Sequence, residues 1–441
     1  MTIDITQLDA VAWREAAHQH SARALIDTAL ERIYRRNPLC NAFTVILAEQ
    51  ARAEADRLDS DTSNPGPLFG VPVAIKEEVD VAGCVTTFGT MANQTPKTAD
   101  SDIVARLRAA GAIIIGKTAM PAFGAFPFTE SDATGVTRNP HNPLYTPGGS
   151  SGGSAVAVAD GMVPVAIGGD GGGSIRIPAA HCGLVGLKPR RGVIPTAPYK
   201  DLWCELGTAG ALTRTVRDTQ LMFTVISDER IETNRTPATW KIAVDYTPQS
   251  LLTPLSSEHR TAVESMEKRL RDAGHDVERV HLRAKDPTLL FMIQFLAGIR
   301  HEIEGLDNPD RIEARHKRTR ALGFWVTPRV EKWAREASHR YGDELEKYFD
   351  RYDVILTPTV ASGPSKAGRL MRMGTVAAQI ASLPSVAYTA KWNVSGHPAI
   401  HVPVSRNAQG LPRGVQFIAS QRSTERGERV LVELATEVME R

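Results

Sequence analysis

Residues 148–192 read GGSSGGSAVAVADGMVPVAIGGDGGGSIRIPAAHCGLVGLKPRRG, and this stretch decides the fold. It holds 13 of the chain's 35 glycines. Most sit in two Gly/Ser loops, 148–154 and 168–174, around a helix-like AVAVADG and a strand-like VPVAIG. A flexible linker would not carry apolar runs on both sides or enclose Asp170 and Arg176. Consecutive glycines between packed elements instead mean a backbone that approaches something closely. In Asp170-Gly171-Gly172-Gly173-Ser174 the missing side chains leave successive N–H groups free to converge on one point. Ser174 then opens the helical run IRIPAAHCG, so a hydroxyl lies beside an anion-stabilising nest. Acyl transfer needs that combination of nucleophile and oxyanion donors.

A serine alone is inert and needs a base. No histidine stands in a context that singles it out. Lys76 ends the apolar run VPVAI, where poor solvation disfavours an ammonium and suits a proton acceptor. A strand-end lysine can equally reach solvent, and the residues alone leave both readings open.

The remaining composition narrows the class. Apolar residues make up 42% and charged residues 23% of 441, as in ordinary globular proteins. Lys plus Arg (52) against Asp plus Glu (50) gives +2, too balanced for a nucleic-acid or membrane-surface partner. Four cysteines without a CxxC pair exclude a disulfide scaffold. No run approaches the ~18 apolar residues of a spanning helix. The opening MTIDITQLDAVAWREAAHQH places acids and histidines where a leader needs a basic start, so cytoplasmic residence is expected.

Strand and helix patterns alternate along the chain. Helices are predicted over 22–37 (ended by Asn37-Pro38), 49–58, 103–110, 216–226, 257–273 and 424–439. Strands are predicted over 71–76, 112–115, 163–167, 241–244, 277–280, 354–357 and 414–418, the first entered from a Gly/Pro-rich turn at 64–70. Residues 287–350 read as purely helical. The pattern favours one α/β domain.

Three motif matches fail on physical grounds. Gly111-AIII-Gly116-Lys117-Thr118 spells a P-loop, but Ala112 and the isoleucines after it want to be buried strand and not a phosphate cradle, so nucleotide binding through Lys117 is rejected. His397-PAI-His401 has the spacing of a metal pair, but Pro398 and the Val-Pro-Val after it disfavour a helix and no acidic or Cys ligand is near. Gly148-Gly149-Ser150-Ser151-Gly152 matches GxSxG, yet HNPLYTP before it is loop-like, which leaves an α/β-hydrolase esterase using Ser150 as an alternative only.

Lys76, GGSSGGS at 148–154 and GGDGGGSIRIPAAHCGLVGLKP at 168–189 resemble the amidase signature family of serine hydrolases. So do GKTAMPAF, TRNPHNP, DVILTPT and the tail NVSGHPAIHVPVSRNAQGLPRGVQFIA. The resemblance spans nearly the whole chain. It implies an α/β fold with a single large mixed sheet covered by helices on both faces. One domain would fill residues 1–441, with a signature core at about 65–225 and a helical pocket region at about 285–350. It also implies Ser174 as acyl-enzyme nucleophile, Ser150 as bridging serine after a cis Gly149–Ser150 peptide, and Lys76 as base. The N–H groups of Gly171, Gly172, Gly173 and Ser174 would form the oxyanion hole, with Gly124 at the substrate. Asp170 and Arg176 would be a supporting ion pair, and Ser151 and Ser154 turn hydrogen-bonders.

No cofactor or metal is implied. The expected partner is a small carboxamide, anilide or carbamate, and the expected state a monomer or homodimer. A glutamine-hydrolysing amidotransferase subunit is the alternative within the fold. Two departures stand out: Gly171 where relatives commonly have Thr, predicting a looser and less shielded nest, and Glu77-Glu78 where many have Asp, changing the surroundings of Lys76. Pocket walls are expected from residues 123–129, 199–203 and 287–340; Phe291, Met292, Phe295, Phe324 and Trp325 are expected in the core for the most part, with a place in an apolar pocket as the alternative.

Overall fold

Short β-branched runs flanked by amphipathic helices must bury both of their faces. The computed structural model, which describes residues 4–60, 66–233, 239–249 and 253–440, shows how they do so. In chain order the strands are β1 (Phe43–Ile46), β2 (Pro72–Lys76), β3 (Ile113–Thr118), β4 (Glu130–Ser131), β5 (Gly135–Val136), β6 (Val165–Asp170) and β7 (Val185–Lys188). They continue with β8 (Thr208–Thr213), β9 (Lys241–Val244), β10 (Asp276–Arg279), β11 (Val354–Pro358), β12 (Ala399–Arg406) and β13 (Pro412–Ile418). Eleven of them form one sheet in the order β1-β3-β2-β6-β8-β7-β12-β13-β11-β9-β10, while β4 and β5 pair separately. The sheet is mixed: β2 is parallel to β3 and β6, whereas β6–β8, β7–β12 and β12–β13 are antiparallel.

The two-residue side-chain period sends alternate positions to two cores. Val354 and Leu356 join one apolar cluster and Ile355 the other; Ile242 and Val244 likewise oppose Ala243. The first core packs against helices Val216–Ile226, Ser257–Asp272 and Glu428–Glu440, the second against Thr288–Glu304 and Pro328–Glu346. Both faces of the sheet are therefore covered by helices, as expected.

Parallel pairing places the chemistry. Val73 faces Val165 and Ile75 faces Ile167, so Lys76 at the end of β2 and Asp170 at the end of β6 emerge at one sheet edge. Helix Gly152–Ala159 precedes β6 and helix Arg176–Cys182 follows it. Both Gly/Ser loops thus converge beside Lys76.

The structure departs from the sequence reading in several places. The first predicted helix does not stop at Asn37-Pro38 but runs over Ala22–Cys40. Pro38 sits in its last turn, Asn41 closes it in a left-handed conformation, and the Asn37 carboxamide accepts from the N–H groups of Ala42 and Phe43. Strands β7, β8 and β12 lie outside the predicted set: VGLK and TAGALT lack a clear apolar alternation, while in AIHVPVSR the alternation of Ile400, Val402 and Val404 is interrupted by Pro403. Part of the expected turn at 64–70 lies outside the described residues. Lys117 lies within β3, fully buried, with Nζ donating to Val85 O (3.1 Å) and Thr86 Oγ1 (3.2 Å), so this segment is strand and not phosphate loop. Among the described residues no helix is long and apolar enough to cross a membrane.

The two-core arrangement makes a stability prediction. Leu356→Ala opens a void in the middle of the sheet and should cost about 2–5 kcal/mol, whereas Val376→Ala at an exposed site should change stability by less than about 0.5 kcal/mol. Urea unfolding of the two variants checks this.

Candidate active site

Lys76 is buried, and its Nζ donates to Ser150 Oγ at 2.8 Å and to Gly169 O at 3.3 Å. Its other neighbour is the carboxylate of Glu78, 2.9 Å away. A Cβ at Gly169 would lie 1.9 Å from Glu78 Oε1, so the bare backbone there is what admits the carboxylate. Glu77 turns away from the site, accepting from Thr44 and Thr87 hydroxyls and facing Lys117 at 3.6 Å. The Gly149–Ser150 peptide is cis.

Ser174 lies between Gly173 and the helix Arg176–Cys182, half-buried, and lines the same cavity as Lys76 and Ser150. Among the described residues its hydroxyl makes no hydrogen bond; its carbonyl accepts from Ser151 N–H at 3.2 Å. Ser151 Oγ and Ser154 Oγ donate to Gly169 O (3.1 Å) and Ile167 O (2.9 Å), tying the first loop to β6.

The nest is held from below by Asp170, which is wholly buried and paired with Arg176 at 3.0 Å. Burial alone would raise this carboxyl, but the Arg176 guanidinium, with Lys188 and the Asn393 amide, holds it well below the usual carboxylate range. Asp170 Oδ1 accepts from Gly173 N–H at 2.6 Å and from Asn393 Nδ2 at 2.8 Å. Arg176 donates onward to Gln416 Oε1 (2.9 Å) and Asn393 Oδ1 (2.7 Å). Removing one member of such a buried pair costs about 3–5 kcal/mol.

The Gly173 contact changes the expected donor set. Its N–H is engaged by Asp170, which leaves Gly171, Gly172 and Ser174 as N–H groups without a protein acceptor among the described residues. Gly173 itself has φ +122, and a Cβ there would lie 2.3 Å from Thr389 Oγ1, which donates to Gly172 O at 2.7 Å. No other residue fits that position.

The expectation of a poorly shielded nest is not met. A Cβ at Gly171 would come within 3.0–3.5 Å of the Trp203 indole, and one at Gly172 would come within 3.0–3.1 Å of the Phe291 ring. Two aromatic rings thus cover the nest from the space that the glycines leave. Trp203 packs edge-on to Phe295, and its Nε1 donates to Glu302 Oε1 at 2.6 Å.

Two chambers meet at Ser174, Gly124 and Trp203. One, of about 200 Å³, holds Lys76, Ser150, Glu78 and Glu302. The other, of about 110 Å³, is walled by Phe126, Ile177, Phe291, Met292, Phe295 and Leu383. Gly124 stands over Ser150, where a Cβ would lie 3.0 Å from Ser150 Oγ. Phe324 and Trp325, expected in the core or the pocket, are instead 85% and 40% exposed, because they follow the end of helix Ala314–Leu322 at the surface. Sequence reasoning missed Glu302, Asn393 and Thr389. Glu302 reaches the site from helix Thr288–Glu304, and Thr389 and Asn393 from the cap and body of helix Ala390–Ser395; Asn393 opens the quoted tail NVSGHPAI, but nothing in that motif gives it a partner at Asp170.

Other candidate groups resolve into structural roles. His397 pairs with Glu346 (3.0 Å) and His401 with Thr359 (2.7 Å), both in the core and apart from each other's partners. Cys204, His301 and Glu331 cluster together, but burial and then Glu331 push the thiol up to about 12, and Arg335 and Arg300 already hold Glu331. The two guanidiniums beside Glu331 disfavour a metal cation there.

The comparisons with known proteins agree with this geometry. The family model described as Amidase matches residues 24–426. A Mycobacterium tuberculosis protein named as amidase AmiB2 is 39% identical over 90% of this chain and 88% of its own length. The solved structure of 6-aminohexanoate cyclic dimer hydrolase superposes with a TM-score of 0.91 at 29% identity, covering 100% of this chain and 97% of that one. A glutamyl-tRNA(Gln) amidotransferase subunit from Thermotoga maritima superposes with a TM-score of 0.80 at 26% identity, covering 99% and 95%. With its mixed eleven-stranded sheet and a family match over almost its full length, the chain belongs to the amidase signature family, hydrolases of carbon–nitrogen bonds.

Proposed function

We propose that this chain hydrolyses small carboxamides, anilides or related carbamates through an acyl-enzyme on Ser174, with Ser150 and Lys76 as proton relay. The observation that carries this reading is the 2.8 Å Lys76–Ser150 hydrogen bond at the buried end of the cavity that Ser174 lines. Ser174 Oγ attacks the carbonyl carbon as its proton passes to Ser150 and the Ser150 proton passes to Lys76 Nζ. The carbonyl π electrons move to oxygen, where the N–H groups of Gly171, Gly172 and Ser174 stabilise the charge. Collapse of this adduct breaks the C–N bond. Ser150 then protonates the departing amine and is reprotonated by Lys76, and water repeats the sequence to release the acid.

The glutamine-hydrolysing alternative requires a cation for the substrate's α-carboxylate. Among the described lining residues each lysine is already matched, Lys76 with Glu78 and Lys97 with Asp80 at 3.5 Å. The apolar second chamber also favours a plain acyl or aryl group over an amino acid. An esterase that pairs Ser150 with a histidine is disfavoured because Lys76 is the side chain bonded to Ser150.

Three outcomes test the reading. A fluorophosphonate should label Ser174 in peptide mapping, and Ser174→Ala should lose activity on the order of 10⁴-fold or more in a panel of amides, anilides, carbamates and glutamine. Lys76→Ala should lower kcat/KM by ~10²–10⁴ near neutral pH; a loss under about tenfold would remove Lys76 as base. Gly171→Thr should push the Trp203 indole off the nest and lower kcat by about 10- to 100-fold while leaving the thermal unfolding midpoint little changed.

A further inference from the structure

The two chambers differ in kind, and the chemistry above assigns them to the two halves of an amide. This step rests on the proposed roles of Ser174 and Ser150. The departing nitrogen must lie within reach of Ser150, and Ser150 and Lys76 face only the larger chamber. The acyl group then fills the apolar one.

Within the amine chamber nearly every charge has a partner. Lys76 meets Glu78 at 2.9 Å, Lys97 meets Asp80 at 3.5 Å, Asp201 meets Arg335 at 2.8 Å and Asp170 meets Arg176 at 3.0 Å. Glu302 has no ion-pair partner among the described residues. Its Oε1 is taken by the Trp203 indole, and its Oε2 is buried without any hydrogen bond. Burial, and then the nearby Glu78 carboxylate, push the Glu302 carboxyl well above the usual range. A cation entering the chamber would supply the counter-charge this acid lacks and a donor for its unused oxygen.

The backbone around Trp203 points the same way. Trp203, Cys204 and Glu205 have φ of 52°, 52° and 68°, three successive left-handed residues that carry a Cβ. Such conformations persist only where the surroundings impose them and gather at functional sites. Here Gln294 Nε2 donates to Cys204 O (2.7 Å) and Arg191 Nε to Glu205 O (3.0 Å), while a Cβ at Gly298 would lie 3.0 Å from Trp203 Cα. The strain fixes the indole, and the indole fixes Glu302.

We propose that Glu302 is a specificity-determining residue, selecting amides whose amine half ends in an ammonium group and whose acyl half is apolar. The matched probes are N-(aminobutyl)hexanamide and N-pentylhexanamide, which differ by an ammonium in place of a methyl. The wild-type enzyme should favour the first by about tenfold or more in kcat/KM. Glu302→Gln, which keeps shape and the Trp203 contact, should bring that ratio to near one. Glu304→Gln, on the exposed side of the same helix, should keep it. A wild-type ratio near one, or a ratio unchanged in Glu302→Gln, overturns the proposal. Calorimetric binding of both probes to Ser174→Ala reads the same preference without turnover. If neither probe is hydrolysed, the amidase reading fails on these substrates while the binding ratio still decides for or against Glu302.

Discussion

The buried Asp170–Arg176 pair is the constraint on which the site depends. One carboxylate at the end of β6 takes the guanidinium, the Gly173 N–H and the Asn393 amide at once. With its charge balanced and its oxygens satisfied, burial becomes tolerable, and the loop that hangs from it acquires one geometry. The glycines after Asp170 would otherwise be the most mobile backbone in the chain. Anchored at Gly173 by Asp170 and at Gly172 by Thr389, they present their remaining N–H groups without needing to reorganise. Preorganised dipoles of this kind stabilise a developing oxyanion better than mobile ones.

The two departures from the family pattern acquire a physical account. Glycine at 171 leaves space that the Trp203 indole fills, so the nest is shielded by a ring from a distant loop and not by its own side chain. Glu78 occupies the gap left by Gly169 and sits on Lys76, adding an anion at the buried end of the cavity. The same carboxylate lies close enough to Glu302 to raise its carboxyl further, so Glu78 and the far wall of the larger chamber are electrostatically linked.

Much of this was legible in the residues. The P-loop match failed on the β-branched character of Ile113, Ile114 and Ile115, and those residues are indeed strand. Helix Val216–Ile226 was placed to the residue, since its apolar spacing and Thr215 cap are local signals. What escaped were elements whose identity is set by neighbours. β7 and β8 pair with each other and with β12 and β6 in the middle of the sheet, where small residues such as Gly186 and Gly210 are accommodated by packing that no local pattern reveals. Phe324 and Trp325 read as core or pocket residues by composition alone, and only the end of helix Ala314–Leu322 decides that they face outward.

The division between the two levels has a simple cause. Backbone chemistry is local, so a run of glycines between Asp170 and Ser174 already points to a nest of N–H groups beside a hydroxyl, whereas the apolar strand ending in Lys76 leaves open whether that amine is buried or reaches solvent. Which N–H groups stay free, what covers them, and which acid is left unmatched depend on atoms brought together across the fold. Gly173 meets Asp170, Gly171 meets Trp203, and Glu302 faces the cavity from a helix about 130 residues beyond the loop that carries Ser174. The sequence alone determined the family and where its glycine-rich loops lie; the tertiary structure decided the shape and charge of the space between them, because those are properties of pairs that no linear spacing records.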